Sequence, residues 1–257
     1  MSAPAPRYSV VVPAFDEEAL LPATLASIRA AMAAVPHAGE IVVCDNNSTD
    51  GTAAAARAGG ARVVFEPHNQ IARARNTGAW EARGEWLVFV DADTEISGAL
   101  LGEALGHLAE GRTAGGGSLI LMDGSEARLG GLLVRAWNRI SRRFRLAAGS
   151  FLWVRRDAFD AVGGFPLSMY AGEEVLFALS VKRWARPRGL AFLVLDAHPV
   201  RTSARKMEWF SAWTLFGTFL LMTLCPLLAR SRAFCRIWYR RPASAARGAG
   251  PRPAPRP

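Results

Sequence analysis

A chain of 257 residues, 51% hydrophobic and 21% charged, has room for one large domain with a full core, which excludes a disordered, collagen-like or coiled-coil chain. The net charge is +9 and all but two of the 31 cationic side chains are Arg, a surplus that suits phosphate-bearing ligands, nucleic acid or an anionic membrane surface. Cys44, Cys225 and Cys235 share no metal-binding spacing, and the N-terminus shows no charged region followed by a long apolar one, so the expectation is a cytoplasmic fold without disulfides, zinc or a secretory signal.

In chain order, the β-branched run 9–12 predicts a strand ending at Pro13, followed by the acidic loop Asp16, Glu17, Glu18 and an Ala/Leu-rich helix over 19–34. Residues 41–44 predict a second strand, and the polar loop 45–50 can cap an Ala-rich helix over 52–58. A third strand over 62–65, a helix over 71–83 and a fourth strand over 86–90 follow, the last running into Asp91, Ala92 and Asp93. These strands are apolar throughout rather than alternating, and strand and helix take turns. That is the signature of an α/β fold: a Rossmann-like, mostly parallel sheet with helices on both faces. Ligands of such sheets collect at the carboxyl ends of the strands, where 13–17, 45–50 and 91–93 converge.

The second half is less regular. It predicts a helix over 99–108, a Gly-rich strand over 115–122, a basic helix over 129–145, a strand over 150–154, a helix opened by Glu173 and Glu174, and a last strand over 191–195. Residues 211–229 are uncharged and are followed by Arg230, Arg232, Arg236, Arg240 and Arg241. At about 1.5 Å per residue that stretch is just long enough to cross a bilayer core.

Asp91 and Asp93 leave a strand end at i and i+2, so both can reach one hard cation together with substrate phosphates. The same triplet also serves as an ordinary loop start, and its context carries the weight. In order come 11–18 (VVPAFDEE), 43–52 (VCDNNSTDGT), 74–78 (ARNTG), the aspartate pair, Gly163-Gly164-Phe165 and Glu173-Glu174. Together these resemble the family-2 glycosyltransferases of the GT-A fold over about residues 7 to 200. Phe15 and Asp16 stand where that family often has Tyr and Asn.

The resemblance implies that Pro13, Ala14, Phe15 and Glu17 line the base and ribose pocket, and that Asp45, with Asn46 beside it, reads the base. Arg73 or Arg75 would reach the diphosphate with its bidentate fork. Asp91 and Asp93 would hold Mg²⁺ or Mn²⁺ on the donor, with Ala92 between them lining the donor site, His198 as a third metal ligand and Arg205 as a phosphate clamp. Both also read as linker residues. Gly163 and Gly164 would let backbone approach the acceptor or simply make a turn. Glu174, or else Glu173, would be the general base of an inverting displacement; a helix-capping acid pair is the alternative.

The expected protein is thus a hexosyltransferase-like enzyme using a UDP- or GDP-type nucleoside diphosphate sugar and a sugar or lipid-linked acceptor, without nucleic acid. A sugar nucleotidyltransferase and a membrane-tethered binding module without turnover are the alternatives. The chain divides into a disordered 1–6, a nucleotide-sugar-binding half 7–115, an acceptor-binding half 116–200 of the same domain, a membrane-associating or dimerising helical segment 201–241, and a disordered tail 242–257. A catalytic domain and an Arg run that both prefer the cytoplasmic side cannot be joined by a single crossing. Residues 211–229 are therefore expected to lie in the interface of the cytoplasmic face of the membrane, with Trp209, Trp213, Trp238 and Tyr239 at headgroup depth, or else to pack in a homodimer.

Overall fold

The computed structural model describes residues 5–123, 128–147, 149–203, 217, 221, 225–235 and 239. Arg205, the 242–257 tail and most of 201–241, including Trp209, Trp213 and Trp238, lie outside the described residues.

Among the described residues eight strands form one sheet: β1 (Tyr8–Ala14), β2 (Gly39–Asp45), β3 (Arg62–Phe65), β4 (Trp86–Val90), β5 (Thr94–Glu95), β6 (Thr113–Asp123), β7 (Phe151–Arg155) and β8 (Ala191–Ser203), in the spatial order β3-β2-β1-β4-β7-β6-β8-β5. Strands β1 to β4 run parallel, as do β6 and β8, while β7 and β5 run antiparallel to their neighbours. Both halves of the chain thus contribute to a single sheet.

The continuous apolar runs have a direct explanation. Side chains alternate across a strand, so a strand covered on both faces is apolar at every position. Val10, Val12, Val43, Val88 and Val90 pack under α1 (Leu21–Ala33) and α4 (Gly98–Ala109) through Leu25, Ile28, Leu101 and Leu105. Their neighbours Val11, Val42, Leu87 and Phe89 face α3 (Ile71–Glu81), α6 (Arg156–Val162) and α7 (Glu173–Ala185) through Ala72, Ala79, Phe159 and Phe177. Helices α2 (Thr52–Ala58) and α5 (Arg128–Phe144) are also among the described residues. In β6, Gly116 is where the indole of Trp153 and the Leu193 carbonyl leave no room for a Cβ.

The last strand departs from expectation. It continues past Leu195 to Ser203, because residues 196–199 bulge out opposite Leu119 alone before pairing resumes at Val200 with Ile120. Asp196, His198 and Pro199 break the apolar pattern there, and Pro199 cannot donate to a ladder. After the bulge, β8 pairs with β5 directly beyond Asp93.

Tyr239, expected at headgroup depth, makes its described contacts with the domain itself. Its hydroxyl accepts from the Ile71 N–H (3.3 Å) and donates to the Tyr170 carbonyl (3.0 Å), and its ring meets that of Tyr170 edge to face. The Tyr170 N–H donates to the Ala229 carbonyl (2.7 Å), and Arg232 donates to Asn69 (3.1 Å). An amphipathic ring with one polar tip suits a domain surface as well as a lipid interface. Among the described residues no helix is long and apolar enough to cross a membrane.

Candidate active site

The ends of β1 and β2 are sewn together by short polar side chains. Asp16 takes a left-handed backbone conformation (φ 50°) that Asp and Asn tolerate better than most. Its N–H donates to the Ser48 hydroxyl (3.0 Å), and its carboxylate accepts from the Thr49 N–H (2.7 Å). Glu17 N–H donates to the Thr52 hydroxyl (2.7 Å), Glu18 N–H to Asp50 (3.2 Å), and Gly51 N–H to Glu18 (2.7 Å). Pro13, Ala14, Phe15 and Glu17 therefore sit on a braced ledge beside Asp45, whose Oδ1 accepts from the Ser48 N–H (3.1 Å).

Asn46 stands differently from expectation. Both protons of its amide are used, on the carbonyls of Glu66 (3.1 Å) and His68 (2.7 Å), and its oxygen accepts from the Gln70 N–H (2.8 Å). It is buried and shapes the loop, and it has no donor left for a base. Gln70 extends the same bracing, donating to the carbonyls of Leu167 and Met169 at 2.8 Å each.

Arg75 is the hub. Two residues apart on a helix is about 200°, so Arg73 and Arg75 cannot face the same way. Arg75 is 2% exposed and Arg73 is partly exposed. The Arg75 fork donates to Glu173 (2.7 Å), to Asp91 (2.9 Å) and to the Gly149 carbonyl (3.1 Å), over the ring of Phe165. Burial opposes its charge, but Asp91, Glu173 and Glu174 more than restore it, so the guanidinium stays protonated. Phe89, Phe159, Phe165 and Phe177 form the aromatic floor beneath.

Two ion pairs through Arg75 thereby join the end of β4 to the start of α7. Glu173 is buried in its pair, and Glu174 stands beside it with partial access to solvent. Desolvation, then the charge of Glu173, push the Glu174 carboxyl up to about 8 against the pull of Arg75. A carboxyl held there is poised for proton transfer near neutral pH.

Asp91 and Asp93 both leave the strand end with partial exposure, and Ala92 between them is buried, its carbonyl held by the Thr24 hydroxyl (2.8 Å). His198 does not join them as expected: it is exposed in the β8 bulge. Among the described residues no three His, Cys, Asp or Glu side chains come together as a metal-holding group.

Gly163 and Gly164 end α6. Both have positive φ, with Gly163 N–H on the Asp160 carbonyl (3.1 Å) and Gly164 N–H on the Phe159 carbonyl (3.1 Å), the paired bonds of a Schellman motif. A Cβ on Gly164 would lie 2.5 Å from the Asn76 amide oxygen, which already accepts from the Phe165 N–H (2.8 Å). The turn reading accounts for both glycines. Gly164→Ala is expected to cost about 2 kcal/mol, from left-handed strain plus that clash, in a urea unfolding curve, with Gly163→Ala costing less.

Asn76, Gln70 and Tyr239 are the positioning groups that sequence reasoning passed over. Asn76 stands in the quoted 74–78 motif, and its polar amide inside an otherwise Ala-rich helix start was the available signal. Nothing local in the sequence signals Tyr239.

A model of the family "Glycosyl transferase family 2" matches residues 9–163. Glycosyltransferases of Mycobacterium bovis and Mycobacterium tuberculosis, named as uncharacterized, are 32% identical over 174 residues, covering 63% of this chain and 76% of each relative. A mannosyltransferase from Pyrobaculum calidifontis, in complex with GDP-Man and Mn²⁺, shares the fold with a TM-score of 0.65 at 20% identity. That match covers 89% of this chain, which spans 64% of that structure's length. Glucosyl-3-phosphoglycerate synthase from Mycobacterium tuberculosis, in complex with Mn²⁺, UDP and glucosyl-3-phosphoglycerate, gives 0.61 at 21% identity over 88% of this chain and 80% of its own. The GT-A expectation is met, and the nucleotidyltransferase alternative falls away. With the family model covering more than half the sequence and the ordered strand-end clusters at one edge of the sheet, the chain belongs to glycosyl transferase family 2 and is a glycosyltransferase.

Proposed function

We propose that this enzyme moves a sugar from a UDP- or GDP-type nucleoside diphosphate to an acceptor hydroxyl with inversion at the anomeric carbon. The observation that carries the reading is the division of labour in the acidic pair: Glu173 is buried and consumed by Arg75, whereas Glu174, next to it, keeps partial access to solvent, its carboxyl pushed up by burial and by the charge of Glu173. In the displacement the acceptor oxygen bonds the anomeric carbon, its proton passes to Glu174, and the nucleoside diphosphate departs with the bonding pair. Asp45 and the braced β1 ledge bind the nucleoside. Arg75 holds Asp91 and Glu173 in register, so that the donor end and the acceptor end keep their spacing.

The carboxylates at the end of β4 suit a hard divalent cation that takes its other ligands from a diphosphate, and structures with the same fold carry Mn²⁺ with UDP or GDP-Man. Asp93 and Asp91 would hold Mg²⁺ or Mn²⁺, which when bound neutralises charge on the leaving group. Asp93→Ala is expected to abolish the Mn²⁺-dependent rise in Tm given by the true donor, while the ligand-free Tm changes little. A panel of UDP-, GDP- and dTDP-sugars with and without Mn²⁺ reads this by mass action. No shift with any saturating donor would overturn the donor assignment.

A lipid-linked acceptor at the cytoplasmic face of a membrane is the further part of this reading. Its support is the uncharged stretch 211–229 and its Arg-rich sequel, together with the attachment of both flanks to one domain. Ser203 N–H donates to the Asp93 carbonyl (3.2 Å) and Ala229 accepts from Tyr170 (2.7 Å), so the chain leaves beside the site and returns beside it.

A further inference from the structure

Helix α5 presents a surface that sugar transfer does not use. Residues 128–145 contain six Arg and no Asp or Glu. At about 100° per residue its side chains fall into three stripes. One faces the protein: the Asn138 amide pairs with the backbone of Ile120 in both directions (3.2 and 2.9 Å), and the buried Ser141 hydroxyl donates to the Leu146 carbonyl (2.6 Å). A second stripe, Ala136, Ile140 and Phe144, is spaced i, i+4, i+8 and lies open, with Ile140 44% and Phe144 56% exposed. The third, Arg135, Arg139 and Arg142 with Arg143 at its edge, is also exposed.

The charges around this helix are lopsided. Exposed Asp196 in the β8 bulge lies 3.7 Å from Arg142, whereas Arg145 and Lys182 add to the positive side, the latter donating to the Phe144 carbonyl (2.7 Å). The helix also ends close to the site. Gly149, five residues beyond Phe144, offers its carbonyl to Arg75, and the Ser150 carbonyl accepts from the Asp91 N–H (3.4 Å).

We propose that α5 docks on an anionic bilayer, its Arg stripe among lipid phosphates and Ile140 and Phe144 entering the boundary between headgroups and acyl chains. An apolar stripe, an Arg stripe on its flank and the protein on the third side form the geometry of a helix lying in an interface. A second copy of the chain would set Arg against Arg across a two-fold. Nucleic acid would use the Arg stripe and leave Ile140 and Phe144 in water. The inference deepens the lipid-acceptor reading and rests on it, since the segment that follows α5 is bonded to the strand end carrying Asp91, so the docked face would bring lipid headgroups toward that end of the sheet.

The test is co-sedimentation of the full chain with phosphatidylcholine vesicles, with and without phosphatidylglycerol. Wild type is expected to bind the anionic vesicles. Arg139→Gln/Arg142→Gln/Arg143→Gln should bind about a hundredfold more weakly, and Ile140→Ser/Phe144→Ser at least about tenfold more weakly. All three proteins should keep the same circular dichroism and donor-induced Tm shift. If either variant binds as wild type does, α5 is not the docking face. Equal binding by all three leaves the lipid-acceptor reading standing on residues 211–229 alone, and loss confined to the Arg variant marks a polyanion surface instead. If wild type binds no vesicle, both the docking and the lipid-acceptor reading are overturned.

Discussion

Glu174→Gln is expected to lower kcat by about 10²- to 10⁴-fold, the span that general-base catalysis contributes, while the donor-induced rise in Tm persists. Glutamine keeps the size and a hydrogen-bonding oxygen but cannot accept the acceptor's proton. Glu173→Gln is the control. It should lose stability and only secondarily rate, because its partner is Arg75 rather than the acceptor. If Glu173→Gln loses transfer at unchanged stability and Glu174→Gln keeps it, the base assignment moves by one residue.

The raised Glu174 carboxyl makes two pH statements with definite sign. Acting as a base requires the ionised form, so log kcat/KM should rise with pH up to about 8 and then level, and Glu174→Gln should flatten that limb. For stability the sign is opposite. The folded chain holds this proton where the unfolded chain, near the ordinary 4.5, has released it, so stability falls as pH rises from about 4.5 to about 8. Urea midpoints across that window, compared between wild type and Glu174→Gln, isolate the term.

Arg75→Met is expected to be the most damaging single change to the fold around the site, costing about 3–5 kcal/mol, because it leaves the Glu173 carboxylate buried without its counter-charge. Asp91 loses the same partner but is 31% exposed and is screened by water. The pair therefore predicts a strong coupling. Arg75→Met/Glu173→Leu should recover most of the lost stability in a double-mutant cycle without recovering transfer, since the spacing between the end of β4 and the start of α7 is no longer set. Recovery of activity along with stability would show that Arg75 does nothing beyond neutralising Glu173.

The sheet was legible in the chain because runs such as 10–12 and 86–90 are apolar at every position, and only a strand covered on both faces needs that. The strand-end clusters 13–17, 45–50 and 91–93 were legible for the same reason, since polar residues that directly follow a buried strand must stand at its carboxyl end. Spacing alone left open which member of each close pair does which work. Arg73 and Arg75 were separated by the direction of α3, which turns one outward and buries the other over Phe165. Glu173 and Glu174 were separated by Arg75, which comes from a helix nearly a hundred residues earlier and takes the first of them. Asn46 read as a base contact until Glu66, His68 and Gln70 closed around its amide. Residues 196–203 fell outside the predicted strand 191–195 because a bulge carrying Pro199 breaks the apolar run, and only pairing with β5 and β6 makes them a strand. Local pattern determined the elements and the order of the polar clusters. Which polar atoms are spent on one another, and which are left for a ligand, is a property of contacts between distant segments, and only the tertiary structure decided it.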